Sequence, residues 1–256
     1  MIEHTLWGDV DKVQVAIERL RMFEPPEGYY LAFSGGKDSQ AIYRLAELAG
    51  VKFAAHYNDT TVDPPELRRF IRAQYPTVLW DKPKRSMFQL IEHYHAVPDR
   101  YRRFCCQSLK EVHSVGIVVM GVRWEESARR AKRKMVELCR NDPTKTFVSP
   151  IIDWTADEVW AFLNDQGLPH CSLYDEGFKR IGCIMCPLKQ AKDRRRDAER
   201  WPKYYEAYRK AVARAVATGK RKSPKTVDEI MEWWLSDPQD VEPAEQCSFL
   251  GIMEAA

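Results

Sequence analysis

One hexapeptide near the N-terminus combines the residue types that bind a phosphate group. Residues Ser34–Ser39 read Ser-Gly-Gly-Lys-Asp-Ser, after the apolar run Tyr29–Phe33 and before a segment whose apolar residues recur at helical spacing. The sequence therefore predicts a strand, a glycine turn and a helix. Such a turn directs backbone N–H groups and the positive end of a helix dipole at one point, and glycines let a phosphate approach closely. Lys37 adds a full positive charge, so this segment is predicted to bind phosphate.

Polar residues also follow two other predicted strands. The strand predicted over Val51–Asn58 leads into Asp59, and the one predicted over Val115–Val122 leads into Arg123 and Arg130. Open α/β sheets bind ligands beyond the carboxyl ends of their strands, and guanidinium groups bind phosphate or sulfate oxygens bidentately. These three residues are therefore candidate ligand-binding residues. A solvated, charged helix start is the alternative interpretation of the arginine segment.

Four of the seven cysteines stand in two pairs. Cys105 and Cys106 are adjacent, and Cys183 and Cys186 form a Cys-x-x-Cys motif. An odd number of cysteines, in a chain that begins without a secretion signal, argues against a disulfide framework. Four thiolates suit either an iron–sulfur cluster or a tetrahedral zinc ion, so the four residues are candidate metal ligands.

The elements that must position these residues alternate between strands and helices. A first amphipathic helix is predicted over 9–23, and the predicted strands cover 29–33, 51–58, 77–80, 115–122 and 147–152. This alternation predicts a parallel sheet covered by helices. With 256 residues and 45% hydrophobic content, the chain can bury one large domain, or one domain with an appendage. No apolar run approaches the length of a membrane span, so a soluble cytoplasmic protein without membrane association is expected.

The C-terminal region is predicted to form a basic helical subdomain. We expect one domain over 1–187 and this subdomain with a tail over 188–256. Lysine and arginine crowd the region 189–225, and the aromatic residues among them are Trp201, Tyr204, Tyr205 and Tyr208. Basic charge interleaved with aromatic rings is typical of nucleic-acid surfaces, the charges binding phosphates and the rings stacking on bases. A solvated basic face with an aromatic packing stripe is the alternative.

Several motifs, in order, resemble those of the phosphoadenosine phosphosulfate (PAPS) reductase family of the adenine nucleotide alpha-hydrolase-like superfamily. They lie at Ser34–Ser39, Asn58–Thr60, Gly121–Arg130, Pro150–Thr155 and Tyr174–Cys183. The hexapeptide itself resembles the PP-loop of ATP pyrophosphatases. The resemblance implies a three-layer α/β fold with a mostly parallel, twisted, five-stranded sheet of order 3-2-1-4-5 between helices.

The paired cysteines make the resemblance more specific, because they indicate one branch of the family. Cys105 and Cys106, combined with Cys183 and Cys186, resemble the pattern that holds a [4Fe–4S] cluster in the iron–sulfur members of the family. The resemblance therefore favours an iron–sulfur cluster over zinc. Cys139 and Cys171 are interpreted as structural, as isolated cysteines usually are.

Members of the family that this chain resembles catalyse two different reactions. Sulfonucleotide reductases, which release sulfite from adenylyl sulfate (APS) or PAPS, usually have a degenerate loop and a C-terminal Glu-Cys-Gly-(Leu or Ile)-His. Here the loop is intact, and Cys247 stands in Glu-Gln-Cys-Ser-Phe instead. The chain is therefore more similar to ATP pyrophosphatases of sulfur transfer, such as those of DNA phosphorothioation and tRNA thiolation. A non-catalytic module that binds nucleic acid or a partner is the third hypothesis.

The favoured hypothesis assigns roles to residues. An ATP pyrophosphatase-type enzyme would cleave ATP to AMP and pyrophosphate and adenylylate an acceptor for sulfur transfer. Its expected cofactors are ATP, Mg²⁺ and the [4Fe–4S] cluster, and its expected partners are a nucleic acid bound through 189–225 and a sulfur donor such as a cysteine desulfurase. Lys37, Asp38 and Arg123 are the predicted catalytic residues. The predicted nucleotide-binding residues are Ser34, Gly35, Gly36, Lys37, Asp38, Ser39, Asp59, Arg123 and Arg130.

Overall fold

The computed structural model describes residues 1–5, 8–111, 113–139, 142–220 and 225–236. The chain forms two compact units. The first comprises Met1–Asp59, Asp63–Pro83 and Lys110–Gly182, and the second comprises Thr60–Val62, Lys84–Leu109 and the chain from Cys183 onward. The expected division after residue 187 stays a prediction.

The strands form a two-stranded hairpin and a six-stranded sheet. They are β1 (Ile2–Thr5), β2 (Gly8–Asp11), β3 (Tyr29–Ala32), β4 (Phe53–Asn58), β5 (Leu79–Asp81), β6 (Ile117–Val119), β7 (Val136–Leu138) and β8 (Thr146–Val148). β1 and β2 pair antiparallel, and the larger sheet has the order β5-β4-β3-β6-β8-β7. Within it all neighbours are parallel except β7 and β8. Central β3 is buried along most of its length, as expected for a strand covered on both faces.

The helices in the described ranges cover the sheet and build the second unit. They are α1 (Lys12–Met22), α2 (Lys37–Ala49), α3 (Pro65–Gln74), α4 (Met87–Tyr94), α5 (Phe104–Leu109), α6 (Ala156–Asp165), α7 (Ala191–Arg200), α8 (Pro202–Ala217) and α9 (Val227–Leu235). Thr155 and Glu158 form a capping box at the start of α6. None of these helices is both long and apolar enough to cross a membrane.

The predicted fold class is confirmed, but the strand count is wrong. The five predicted parallel strands appear as β3, β4, β5, β6 and β8, and they keep the order 3-2-1-4-5. A sixth strand, β7, adds an antiparallel edge next to β8. The whole order therefore differs from the prediction, because the sequence Val-Glu-Leu of β7 has no continuous apolar run and is too short to show an alternating pattern.

The predicted start of the first helix is also wrong. Residues 9–11 belong to β2, and the carboxylate of Asp11 accepts a hydrogen bond from the Val13 N–H at 3.0 Å, which caps α1 at Lys12. The apolar helical pattern predicted the buried face of α1, whereas this capping residue decides where the helix begins.

Two ion pairs join α1 to α6 and to the segment that precedes α6. Arg19 binds both carboxylate oxygens of Asp153 at 2.8 Å and the carbonyl of Pro150 at 2.8 Å. Lys12 is buried and donates to Glu158 at 2.7 Å. Burial alone would raise the pKa of Asp153, but the Arg19 guanidinium lowers it below its usual value.

Replacing Arg19 tests the contribution of this contact to stability. Arg19→Ala leaves a partly buried carboxylate without its bidentate partner, and we expect the free energy of unfolding at pH 7 to fall by about 1–3 kcal/mol. Since the folded pKa of Asp153 is lowered, the contribution is present above the unfolded pKa of about 3.9 and is lost as the pH falls below it. Urea denaturation at several pH values measures both effects.

Glu47→Ala is the matched control. It removes the acceptor of a more exposed pair with Arg44, at 3.1 Å, and should cost less than about 1 kcal/mol. Equal losses in the two variants, or a loss for Arg19→Ala that does not shrink in acid, would contradict this account.

Candidate functional site

The phosphate loop has the predicted strand–turn–helix form. β3 ends at Ala32, and α2 begins at Lys37 with Gly36 at the N-cap position. Gly35 has a φ of 72°, and a Cβ there would lie 2.7 Å from the side chain of Ile71 on α3. A side chain is therefore excluded at Gly35 by backbone conformation and by packing.

The two serines of the loop brace it from within. The Ser39 hydroxyl is buried and donates to the Gly36 carbonyl at 2.8 Å, and the Ser34 hydroxyl donates to the Ser39 oxygen at 3.2 Å. The Gln40 side chain donates to the Gly35 carbonyl at 3.3 Å. These contacts satisfy the Gly35 and Gly36 carbonyls within the loop. The first N–H groups of α2 have no acceptor within the helix itself.

Lys37, Asp38 and Arg123, the three predicted catalytic residues, meet in one ion cluster. The Lys37 ammonium and the Arg123 Nε both lie 2.7 Å from Asp38 Oδ1. Lys37 and Arg123 are buried, whereas the Asp38 side chain is 27% exposed. Burial alone would lower the pKa of Arg123, but Asp38 and Glu125 raise it, so the guanidinium stays charged.

The predicted arginine segment forms 3₁₀ turns at Trp124–Glu126 and Arg130–Lys132. Arg123 Nη1 binds the Glu125 carboxylate at 2.7 Å, and Glu125 also accepts from the Ala156 N–H at 2.6 Å. These two hydrogen bonds lower the pKa of Glu125. Arg130 pairs with Glu126. Glu125 was missed by the sequence analysis, although it lies in the segment Gly121–Arg130.

Gly121 lies against the start of α2. A Cβ at this position would stand 2.9 Å from the backbone carbonyl carbon and oxygen of Asp38. The close approach lets the segment after β6 reach the loop after β3, its neighbour in the sheet. Asp59, the remaining predicted nucleotide-binding residue, follows β4, is buried, and accepts from Arg68 of α3 at 2.8 Å.

Tyr174 is a second residue of this site that the sequence analysis missed. Its hydroxyl accepts a hydrogen bond from the Lys37 backbone N–H at 2.9 Å. Burial raises the pKa of Tyr174, which keeps the phenol protonated at neutral pH. The residue belongs to the motif Tyr174–Cys183, but no spacing rule connects that motif to a loop so distant in sequence.

The four paired cysteines all lie in the second unit. Cys105 and Cys106 are on α5, and Cys183 and Cys186 flank a turn closed by the Cys186 N–H and the Cys183 carbonyl at 3.3 Å. A hydrogen bond with Cys106, burial, and the nearby Cys183 and Cys186 thiols raise the pKa of Cys105. The other three thiols therefore lie close enough to Cys105 to disfavour its ionised form.

A bound cation would stabilise the ionised Cys105 thiolate, and four thiols grouped around Cys105 are a donor set that fits a metal centre. Within the described ranges, however, no three His, Cys, Asp or Glu side chains form a metal-binding group. The iron–sulfur cluster therefore stays a prediction.

Buried contacts fix the backbone of the Cys183–Cys186 turn. The Met185 N–H donates to the Asp197 carboxylate at 2.7 Å, and the Ile184 N–H donates to the Val62 carbonyl at 2.9 Å. Met185 has a φ of 54°, a left-handed conformation that is costly for a side chain of this size. Asp197 on α7 also accepts from Lys189 at 2.5 Å.

The remaining cysteine predictions have different outcomes. Cys171 is buried, Cys139 is half-buried, and neither forms a disulfide, which agrees with structural roles. Cys247 lies outside the described residues.

The basic region is helical, but two of its aromatic rings are not available to a ligand. Trp201 and Tyr208 are buried, which favours the alternative of an aromatic packing stripe for these two rings, and Tyr208 packs on Trp234 of α9. The surface of α7 is nevertheless basic, since Lys192, Arg195, Arg196 and Arg200 are exposed. Positions 221–224 of the region lie outside the described residues.

A comparison with protein families decides the classification. The model of the phosphoadenosine phosphosulfate reductase domain matches residues 28–189. The chain belongs to the PAPS reductase family. The match includes the loop, the arginine segment and all four paired cysteines, and it confirms the resemblance inferred from the motifs.

Individual relatives agree with this membership. The adenosine 5'-phosphosulfate reductase of Oceanobacillus iheyensis is 30% identical over 57% of this chain and 62% of its own length. The chain spans between 40% and 62% of the first three curated relatives that it matches.

Two solved structures share the fold. The PAPS reductase of Candida auris, solved as a phosphate complex, has a TM-score of 0.51 at 19% identity and covers 66% of this chain and 87% of its own. The FMN adenylyltransferase of Candida glabrata, in complex with FAD and inorganic pyrophosphate, has a TM-score of 0.50 at 17% identity and covers 73% and 72%.

Gly121→Ala tests the close approach of the two segments of the PAPS reductase-type site. Because the added Cβ meets the backbone of Asp38, we expect the free energy of unfolding to fall by about 1–3 kcal/mol. Gly182→Ala is the matched control, since nothing lies within 4 Å of the Cβ position at Gly182. Chemical denaturation measures the free energy of unfolding of both variants. Equal values would show that the space between Gly121 and the Asp38 backbone can accept a methyl group.

Proposed function

We propose that the protein is an ATP pyrophosphatase-type enzyme that adenylylates an acceptor for sulfur transfer. The observation that supports this function is the intact loop, with a buried Lys37 and a partly exposed Asp38 at the start of α2. An ammonium group at a phosphate-binding turn can stabilise the charge that develops on departing pyrophosphate. The FMN adenylyltransferase that shares the fold shows that this architecture accommodates pyrophosphate.

Positive groups of the loop bind the pyrophosphate portion of ATP in this proposal. The first-turn N–H groups of α2 and the Lys37 ammonium face the β- and γ-phosphates, while Ser34 and Ser39 keep the turn in shape. Arg123 binds Asp38 and so acts as a positioning residue. Asp59 and Arg130 follow β4 and β6, the two strands that flank β3 in the sheet. In this proposal they border the nucleoside.

Asp38 fits the requirement of Mg²⁺. Its Oδ1 atom binds Lys37 and Arg123, whereas its Oδ2 atom forms no hydrogen bond with any described residue, and the side chain is partly exposed. Magnesium is commonly held by one or two carboxylates together with substrate phosphates and water. Asp38 would thus hold the ion, which neutralises charge on the phosphates.

The proposed reaction transfers an adenylyl group. An acceptor oxygen attacks the α-phosphorus of ATP, the bond between the α-phosphorus and the bridging oxygen breaks, and pyrophosphate leaves with the electron pair. Lys37 and the loop N–H groups stabilise the charge that develops on the leaving group. A sulfur nucleophile then attacks the acceptor atom that carries the adenylylated oxygen, which is phosphorus in phosphorothioation and carbon in thiolation. The bond from that atom to the oxygen breaks, AMP leaves with the oxygen and the electron pair, and sulfur takes the place of the oxygen.

Cys105, Cys106, Cys183 and Cys186 would hold a [4Fe–4S] cluster, with zinc as the alternative occupant. Such a cluster would carry sulfide, position it, or stabilise the fold. Arg103 donates to the Cys106 sulfur at 3.5 Å and offsets negative charge there. The basic surface of α7 supports a nucleic acid as the acceptor, and a cysteine desulfurase-type protein would supply sulfur.

A second candidate function is the release of sulfite from APS or PAPS. It is favoured by relatives that are named adenosine 5'-phosphosulfate reductase. In that reaction the thiol of Cys247 would attack sulfur and hold it between half-reactions, so its removal would abolish turnover.

Paired variants separate the two functions. Lys37→Ala should raise the barrier for pyrophosphate release from ATP by about 2–4 kcal/mol, because it removes a preorganised positive charge. Cys247→Ser is the control and should retain wild-type release, since cleavage of the α–β bond needs no thiol. Pyrophosphate is quantified on protein purified without oxygen. Sulfite release from APS or PAPS that disappears in Cys247→Ser would overturn the proposed function and establish the second.

Metal content tests the cofactor independently of activity. Anaerobically purified protein should be brown and contain about four irons per chain. Cys183→Ser should lose the iron, and Cys139→Ser, the matched control, should keep it. A colourless protein that contains one zinc ion would be consistent with the same four cysteine ligands but would contradict the iron–sulfur cluster.

A further inference from the structure

Tyr174 lies at the N-terminal end of α2, against the phosphate loop. Its hydroxyl oxygen accepts the Lys37 N–H at 2.9 Å, and a Cβ on Gly36 would stand 3.4 Å from the same oxygen. Backbone N–H groups at this position of a strand–turn–helix unit are those that bind an anion. The phenol oxygen therefore stands where the loop offers hydrogen bonds to its ligand.

The position of the phenol is fixed by its surroundings. Leu173 and Phe178 are buried and are joined by a backbone hydrogen bond of 3.0 Å, which anchors the turn that carries Tyr174. The Trp160 ring packs edge-on against the Tyr174 ring, with centroids 4.9 Å apart. The hydroxyl is thus preorganised by packing.

The hydroxyl also has a proton to donate. Because burial raises the pKa of Tyr174, the phenol remains protonated at neutral pH. Its oxygen already accepts the Lys37 N–H, and no acceptor for its own proton lies among the residues that the structure describes. A hydroxyl that accepts one hydrogen bond becomes a stronger donor. The Tyr174 hydroxyl therefore accepts the Lys37 N–H and can donate its own proton to a ligand beside the loop.

We propose that the Tyr174 hydroxyl donates a hydrogen bond to an oxygen of the pyrophosphate portion of the bound nucleotide. The inference rests on the proposed ATP-cleaving function and adds a binding group to it. The phosphate chain is then held by the N–H groups that follow Lys37, by the Lys37 ammonium and by the phenol.

Calorimetric titration with inorganic pyrophosphate tests the proposal. Tyr174→Phe keeps the ring and its packing but removes the donor, so we expect pyrophosphate to bind at least about tenfold more weakly, as when one hydrogen bond to a charged group is lost. The unfolding midpoint of this variant should stay close to that of the wild type.

Tyr29→Phe is the matched control. The Tyr29 hydroxyl is buried in the same unit, but it donates to the Leu20 carbonyl at 2.6 Å, at the opposite end of β3 from the loop. This variant should lose stability and keep its pyrophosphate affinity. The opposite responses separate a ligand contact from a structural one.

The outcomes distinguish the two proposals. Pyrophosphate that binds to Tyr174→Phe as tightly as to the wild type, or more tightly, overturns the role of the phenol and leaves the proposed function intact. A wild-type protein that binds neither pyrophosphate nor ATP overturns the proposed function together with this inference.

Discussion

The ion pair between Asp38 and the buried Arg123 is the interaction on which the candidate site depends. Asp38 lies in the first turn of α2, the helix after β3, and Arg123 follows β6, the neighbouring strand of the sheet. Since Arg123 is only 4% exposed, removing the Asp38 carboxylate would leave a buried guanidinium with one of its two carboxylate partners, Glu125. Glu125 in turn accepts a hydrogen bond from the N–H of Ala156, the first residue of α6. One guanidinium therefore connects the loop, the sheet and α6.

Local signals in the sequence were sufficient to predict the parallel part of the sheet and the position of the loop. A strand, a glycine turn and a helix are each specified by residues close together in the chain, and so are capping boxes such as Thr155 with Glu158. The short strands β1, β2 and β7 were missed because charged or polar residues interrupt their apolar residues, and three or four residues are too few to establish an alternating pattern.

The partners within the site could not be predicted in the same way. Asp38 and Arg123 are 85 positions apart, and Lys37 and Tyr174 are 137 apart. Their contacts follow from the order of strands in the sheet, which brings distant segments to one edge. For the aromatic residues of the basic region, composition favoured base stacking and side-chain packing equally. Trp201 and Tyr208 are buried, and their burial supports side-chain packing for these two rings.

The shortness of the outer strands of the large sheet has a consequence for association between copies of the chain. These strands, β5 and β7, are each only three residues long. An outer strand presents unpaired backbone groups that can template pairing with another polypeptide, and short strands present few of them. At the other border, Arg72 lies over the Trp80 ring of β5, 4.5 Å from its centroid, and places a cation beside the exposed backbone. The sheet is thereby protected against aggregation through strand addition at both borders.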